Sequence, residues 1–346
     1  MASSRISETS APRPLTELPI APDEERVWRR RHVLDLDDFS ADEIELVLDT
    51  TAAMKEILAR DVPRAPALRG TTIVTLFYES STRTRASFEL AGKVLGADVI
   101  NLTASGSSVE KGESLIDTVR TLQAIGAQVL VMRHSMSGAP YVAAEHCDAK
   151  VINAGDGWHA HPTQGLLDLY TLRSHVGDPS TGSGQGLRGK RIVIVGDVAH
   201  SRVARSDIWG LSKLGAEIVV CAPPTLLPAG LGELREDGGL PAVTVETDFD
   251  QAILDADAVM TLRLQHERMA GGLLPSLREY SRLYQVNETR MEKAKPGAPV
   301  LHPGPINEGV EISAGLAHSA ASLIEEQVQN GVAVRMALLY LMRGSK

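Results

Sequence analysis

Apolar residues along this chain follow two alternating spacings. Short continuous runs, TTIVTLFY (71–78), ADVINL (97–102), QVLVMR (128–133) and KVINAG (150–155), alternate with stretches in which apolar residues return every three or four positions. The runs are the length of strands buried on both faces, and the intervening stretches, from Thr82 (Phe88, Leu90, Val94, Leu95), over 114–126 and over 141–147, have helical spacing. Such an alternation predicts a parallel, doubly wound sheet. Ahead of it, Ser40 and Glu43 form a capping-box pattern before Ile44, Val47, Leu48, Met54, Ile57 and Leu58, which predicts a first helix. His161 opens a longer helix over 161–177, with Pro162 where a helix start tolerates it best.

A Gly- and Ser-rich connection, GDPSTGSGQGLRGK (177–190), precedes a second alternation: strand RIVIVG (191–196), helix 201–215, strand AEIVVCAP (216–223), strand AVTV (242–245), helix 248–255, strand DAVMTLR (257–263) and strand APVLHPGP (298–305). The last segment, 322–342, is apolar at helical spacing. The expected fold class is therefore α/β, with two doubly wound parallel-sheet domains of similar fold joined by interdomain helices. The expected divisions are a low-order extension over 1–30, domains over 31–173 and 174–318, and a helix over 319–346 that packs back on the first domain.

Composition narrows the partners. At 346 residues, with 43% hydrophobic and 23% charged positions, the chain has the profile of a soluble two-domain protein, and no apolar run is long enough to span a bilayer. A formal net charge of −9 argues against general nucleic-acid binding, so an anionic ligand must be met by local clusters of cations. Cys147 and Cys221 make neither a disulfide framework nor a zinc set, and the cytosol is the expected compartment.

Those cations sit where strands end. After TTIVTLFY come Ser81, Thr82, Arg83, Thr84 and Arg85 at a strand-to-helix turn, where free N–H groups and the positive helix end would cradle a phosphate. An ordinary N-cap accounts for one of these hydroxyls, not for three interleaved with two arginines. Arg133, Arg202 and Arg263 stand at three further strand ends, beside the HPTQ (161–164), RLQ (263–265) and HPGP (302–305) sequences. Ligands bind beyond the carboxyl ends of strands in such sheets, so four arginines placed there point to a multiply charged anion. The loop SGSSVEKGES, with Ser107 and Lys111, reads from its residues alone as a solvated loop.

Rival motifs are weaker. GSGQG precedes a strand instead of following one, and the Gly-Lys at 189 is followed by Arg191 in place of the hydroxyl a P-loop needs for magnesium. His159 and His161 form an H-x-H that could begin a metal site, but no other His or Cys spacing completes it, and a structural or substrate-contacting His161 is the preferred reading. No metal and no cofactor are expected.

Taken in order, FYESSTRTRASFE, SSVEKGES, VMRH, NAGDGWHAHPTQ, GDVAHSRVARS, TLRLQHER and LHPGP resemble the aspartate/ornithine carbamoyltransferase family from about Arg31 to about Arg343. RLQHER and HPGP point to its aspartate-specific branch, and the Cys-Leu pair and Ser-Met-Gly loop of the ornithine-specific branch are missing. The resemblance implies transfer of a carbamoyl group from carbamoyl phosphate to aspartate, on the pyrimidine route. It implies that Ser81, Thr82, Arg83, Thr84 and Arg133 hold the phosphate, that Thr84, Arg133 and His161 polarise the carbonyl, and that Gln164, Pro303, Gly304 and Pro305 hold the carbamoyl amide. Arg202, Arg263 and Gln265 would bind the aspartate carboxylates, and Ser107 and Lys111 would come from a neighbouring subunit of a homotrimer, Lys111 also reaching aspartate. A regulatory chain or a dihydroorotase is a possible further partner. Glu308, in a segment where a basic residue is common, and the long extension and linker are departures that bear on assembly.

Overall fold

The computed structural model describes residues 27–103, 112–177, 186–233, 239–265 and 272–345. Its first sheet has four parallel strands, β1 (Thr72–Phe77), β2 (Asp98–Thr103), β3 (Val129–His134) and β4 (Lys150–Asp156), in the spatial order β2-β1-β3-β4. Because side chains alternate across a strand, Ile73, Phe77, Val129, Val131 and Ile152 enter one core while Val74, Leu76, Leu130, Met132 and Val151 enter another on the opposite face. Burial on both faces is why these strands are written as continuous apolar runs. β2 is different: it is an edge strand, half-buried at best, with Ile100 42% exposed.

Helices α1 (Ala41–Leu58), α2 (Thr82–Val94), α3 (Leu115–Ala124) and α4 (Ala139–His146) accompany this sheet. The predicted capping box of α1 is present, with Ser40 accepting from the Glu43 N–H and Glu43 accepting from the Ser40 N–H. α5 (Pro162–Val176) then leads to the second sheet, so the division expected at 173/174 lies within its last turns.

The second sheet has five parallel strands, β5 (Arg191–Val195), β6 (Glu217–Cys221), β7 (Thr244–Glu246), β8 (Ala258–Thr261) and β9 (Val300–Leu301), in the order β7-β6-β5-β8-β9. α6 (Arg202–Lys213) and α7 (Phe249–Ala252) belong to its crossovers. β9 is far shorter than the expected 298–305, because Pro303 and Pro305 have no N–H to give a ladder. Three helices not expected from the sequence are α8 (Leu277–Tyr284), α9 (Glu288–Met291) and α10 (Ala314–Ala317). α11 (Ile324–Met342) packs on α1, α2 and α5, and α5 in turn packs on α6, so α5 and α11 tie the two α/β domains together.

In each sheet the strand order reverses once. The chain leaves β1 for β2 on one side and returns to β3 on the other; it leaves β5 for β6 and β7 and returns to β8. Reversal leaves an uncovered crevice beyond the carboxyl ends of β1 and β3, and another beyond those of β5 and β8.

Candidate active site

Both crevices open on one cavity of about 600 Å³. Its first wall is the turn from β1 into α2. Ser81 is the N-cap residue of α2 in extended conformation, yet its side chain makes no cap hydrogen bond, whereas Ser40, Ser114, Ser201 and Ser276 all accept from the N–H groups of their own helices. The Ser81 hydroxyl is thus left to the cavity, next to Thr82, Arg83 and Thr84. α2 also carries no acidic residue in its first turn, so its positive end is not neutralised from within. The Arg83 guanidinium lies flat against the backbone at Gly304: a Cβ there would stand 2.9 Å from Arg83 Cζ, and φ of +63° already favours glycine. Partial burial, reinforced by the nearby Arg263 charge, lowers the Arg83 pKa.

The second wall gathers guanidiniums around one carboxylate. Glu79 accepts from Arg202 at 2.7 Å and pairs with Arg133 Nε at 3.1 Å. Arg133 also donates to the Ala154 carbonyl at 3.3 Å and Arg202 to the Gly157 carbonyl at 3.2 Å. Both arginines crowd Gly155 (φ +113°), where a Cβ would come within 2.9 Å of Arg202 Cζ. Arg202 is the first residue of α6, below the second sheet, so this contact joins the two domains at the cavity. Among the described residues Glu79 is the one carboxylate in the cavity wall.

The floor is the start of α5. His161 is buried, its N–H donates to Ser206 Oγ at 2.9 Å, and burial, then the charges of Arg133, Arg202 and Arg335, push its pKa well below the ordinary histidine value. A neutral imidazole among cations can donate a hydrogen bond without adding charge. One turn on, Gln164 Nε2 lies 3.1 and 3.2 Å from the two oxygens of Asp168. His302 is held between the Gly304 N–H, donated to its Nδ1 at 2.7 Å, and Glu311, 3.2 Å from its Nε2. Its neutral form therefore carries the proton on Nε2, and this fixes the turn at Pro303, Gly304 and Pro305.

Beyond β8, Arg263 and Gln265 complete the rim, the Gln265 N–H donating to Asp197 at 3.2 Å. The structure thus brings Ser81, Thr82, Arg83, Thr84, Arg133, His161, Gln164, Arg202, Arg263, Gln265, Pro303, Gly304 and Pro305 to one cavity. Ser107 and Lys111 lie outside the described residues. Sequence reasoning missed Glu79, and also Gln327 and Arg335, whose spacing of eight residues on a largely apolar α11 puts both on one face, toward the cavity. His159 is drawn into a different cluster, 3.1 Å from Asp156 and 3.4 Å from Asp35. Among the described residues no group of three or more His, Cys, Asp or Glu side chains is placed to hold a metal ion. A second, more open depression of about 510 Å³ lies on the second domain, but there Arg290 and Lys293 are already paired with Asp250.

Two family models match the chain: the carbamoyl-phosphate-binding domain of aspartate/ornithine carbamoyltransferases over residues 31–174, and the Asp/Orn-binding domain over 188–342. The aspartate carbamoyltransferase catalytic subunit of Roseiflexus castenholzii is 59% identical over 316 residues, which is 91% of this chain and 96% of the relative. Among solved structures, aspartate transcarbamoylase from Trypanosoma cruzi in complex with carbamoyl aspartate and phosphate superposes with a TM-score of 0.79 at 28% identity, covering 94% of this chain and 99% of that one. Ornithine carbamoyltransferase from Pyrococcus furiosus gives 0.77 at 28% identity, covering 92% and 99%.

Proposed function

The chain belongs to the aspartate/ornithine carbamoyltransferase family, and on that premise we propose that it transfers the carbamoyl group of carbamoyl phosphate to the amine of L-aspartate. The observation that carries this reading is the meeting of two cationic rims, one from each sheet's switch point, across a single cavity. The structural likenesses weigh almost equally toward aspartate- and ornithine-specific relatives; the 59% identity to an aspartate-specific relative favours aspartate.

In this reading Ser81, Thr82, Arg83, Thr84 and Arg133 hold the phosphate, and Thr84, Arg133 and His161 polarise the carbamoyl oxygen. Arg202, Arg263 and Gln265 take the carboxylates of aspartate, whose second acidic group matches a second guanidinium in a way the cationic chain of ornithine does not. The aspartate nitrogen attacks the carbamoyl carbon, a tetrahedral oxyanion forms, and the bond to the phosphate oxygen breaks with its electrons leaving on phosphate. The nitrogen sheds a proton, for which the departing phosphate is the base at hand, since Glu79 is occupied by Arg133 and Arg202. Catalysis is then orientation plus stabilisation of developing negative charge, and no covalent enzyme intermediate is required.

Assembly belongs to the same proposal. A homotrimer would let Ser107 and Lys111 of one subunit reach the cavity of the next, Lys111 toward aspartate. The exposed Ile100 on the edge strand β2, the strand that leads into that segment, is an apolar residue such a contact would cover. A cytoplasmic location and a place in pyrimidine biosynthesis accompany this reading. The test is carbamoyl transfer from labelled carbamoyl phosphate to aspartate and to ornithine, beside a native mass. Aspartate should be preferred by roughly a hundredfold or more, the penalty of placing like charges together in a desolvated site. Equal rates would leave the family and remove the substrate assignment.

A further inference from the structure

Behind Gln164 lies a buried polar chain to which the proposed transfer chemistry assigns no role. Its far end is the backbone N–H of His302, which can only donate, and it donates to Gln327 Oε1 at 2.9 Å. That contact fixes which end of the Gln327 amide is which. Gln327 Nε2 accordingly points at Asp168 Oδ1, 2.6 Å away, and Asp168 receives it as an acceptor. Asp168 is fully buried and Gln327 is 2% exposed, so water does not blur the assignment.

Asp168 has a further neighbour. The buried carboxyl of Asp207, on α6, meets it, and no donor reaches either Asp207 oxygen among the described residues. Two carboxyl groups in contact are held together only by a proton between them. Burial lifts both groups, but the proton belongs on Asp207: Asp168 is lifted only to about 7, held down by the Gln327 hydrogen bond and the buried Arg335 guanidinium, while burial and the Asp168 charge push Asp207 well above the carboxylate range with no donor to oppose them. Asp168 is then an acceptor at both oxygens. The group it meets from Gln164, at 3.1 and 3.2 Å, must be the amide nitrogen.

We propose that Asp168 is a positioning residue: through the one-way chain from His302 N–H to Gln327 to Asp168 it holds Gln164 with its amide oxygen turned to the cavity, as an acceptor for a substrate N–H. This deepens the carbamoyl-transfer reading and rests on it, since the carbamoyl NH₂ is the N–H donor in question. Inorganic phosphate has no such group. The chain therefore contributes to selecting carbamoyl phosphate over phosphate, and a substrate presenting an acceptor at this position is refused.

The readout is the ratio of dissociation constants for inorganic phosphate and carbamoyl phosphate. In Asp168→Asn the amide can be presented to Gln164 either way round, so Gln164 loses its fixed sense. Carbamoyl phosphate affinity should fall roughly tenfold, the worth of one buried hydrogen bond, with phosphate affinity unchanged. Gln327→Met, which cuts the chain one step earlier, should move the ratio the same way and serves if the first variant fails to fold. Gln164→Ala should cost as much as Asp168→Asn, and the double variant no more than either, because both act through one contact. Equal losses for both ligands, or additive losses in the double variant, would make Asp168 merely structural and overturn the proposal. A wild-type preference that survives in Asp168→Asn and Gln327→Met would also overturn it while leaving the functional reading intact. Wild-type protein that binds the two ligands equally would overturn the functional reading and this proposal together.

Discussion

The proposed phosphate end of the cavity comes from one uninterrupted segment, Ser81 to Thr84, together with Arg133, whereas the proposed carboxylate end draws Arg202, Arg263 and Gln265 from two strand ends of the other sheet. The first end rests mainly on a single helix terminus, whose cap residue Ser81 makes no cap hydrogen bond, with Arg83 laid against Gly304 of the second domain. The second depends on contacts across the domains: Arg202 reaches Glu79 and the Gly157 carbonyl, both from the first domain. A site made mainly of one local element is largely organised when that element folds. One assembled from distant elements is organised only when the domains are docked, so its ligand and the interdomain contact are linked.

Removing Arg83 tests the local end and should have the largest effect. Its charge is worth most when the leaving phosphate gains charge, so Arg83→Ala should lower kcat by about a hundredfold to a thousandfold, with a smaller loss in carbamoyl phosphate binding. Steady-state kinetics beside direct titration separate the two, and a variant with near-normal kcat would take Arg83 out of the mechanism. Arg263→Ala probes the other end. The KM for aspartate should rise by roughly a hundredfold while phosphate binding stays as it was, since truncating one partner of a desolvated ion pair costs about 2–5 kcal/mol. A parallel loss of phosphate affinity would mean that the ends are not separable.

Glu79→Gln addresses the linkage. Without the carboxylate, Arg133 and Arg202 face one another with less compensation, and unfolding free energy should fall by about 1–3 kcal/mol. An added dianion can partly replace Glu79, so phosphate should raise the melting temperature of the variant more than that of the parent. Equal shifts in the two proteins would contradict the account. The smallest effect is expected from pH. His161 resists protonation, so below about 6.5 the unfolded chain takes up a proton that the folded one refuses. Its contribution to stability is present above that pH and declines as pH falls below it. By NMR the His161 ring should remain neutral from pH 8 to pH 6; an imidazolium signal in that range would refute the assignment.

What could be read in the sequence follows the same divide. The helix-terminus cluster at Ser81 to Thr84 is contiguous, and a strand run followed by hydroxyls and arginines states its own geometry. Arg202 and Arg263 could be found because the end of a strand is visible in sequence, although which strand ends face each other is not. Glu79 is not legible in sequence, because one acid among cations reads as a solvated charge until Arg133 and Arg202 are seen to close on it. Gln327 and Arg335 carried a readable signal, two polar residues eight apart on an apolar helix, but their targets lie more than 150 residues away in the case of Asp168. α8 is hard to read in sequence although Ser276 caps it and Tyr280 and Tyr284 give it a buried face, because its eight residues carry only those two buried positions while its other apolar residues, Leu277 and Leu283, are exposed. β9 reads longer in sequence than it is, because its apolar run does not show where pairing with β8 stops ahead of the prolines.

The most direct test of the division between the two ends is a crystal structure with one molecule that carries a phosphonate at one end and two carboxylates at the other. The account predicts the phosphonate against Ser81, Thr82, Arg83, Thr84 and Arg133, and the carboxylates against Arg202, Arg263 and Gln265. A molecule bound the other way round, or outside this cavity, would contradict it.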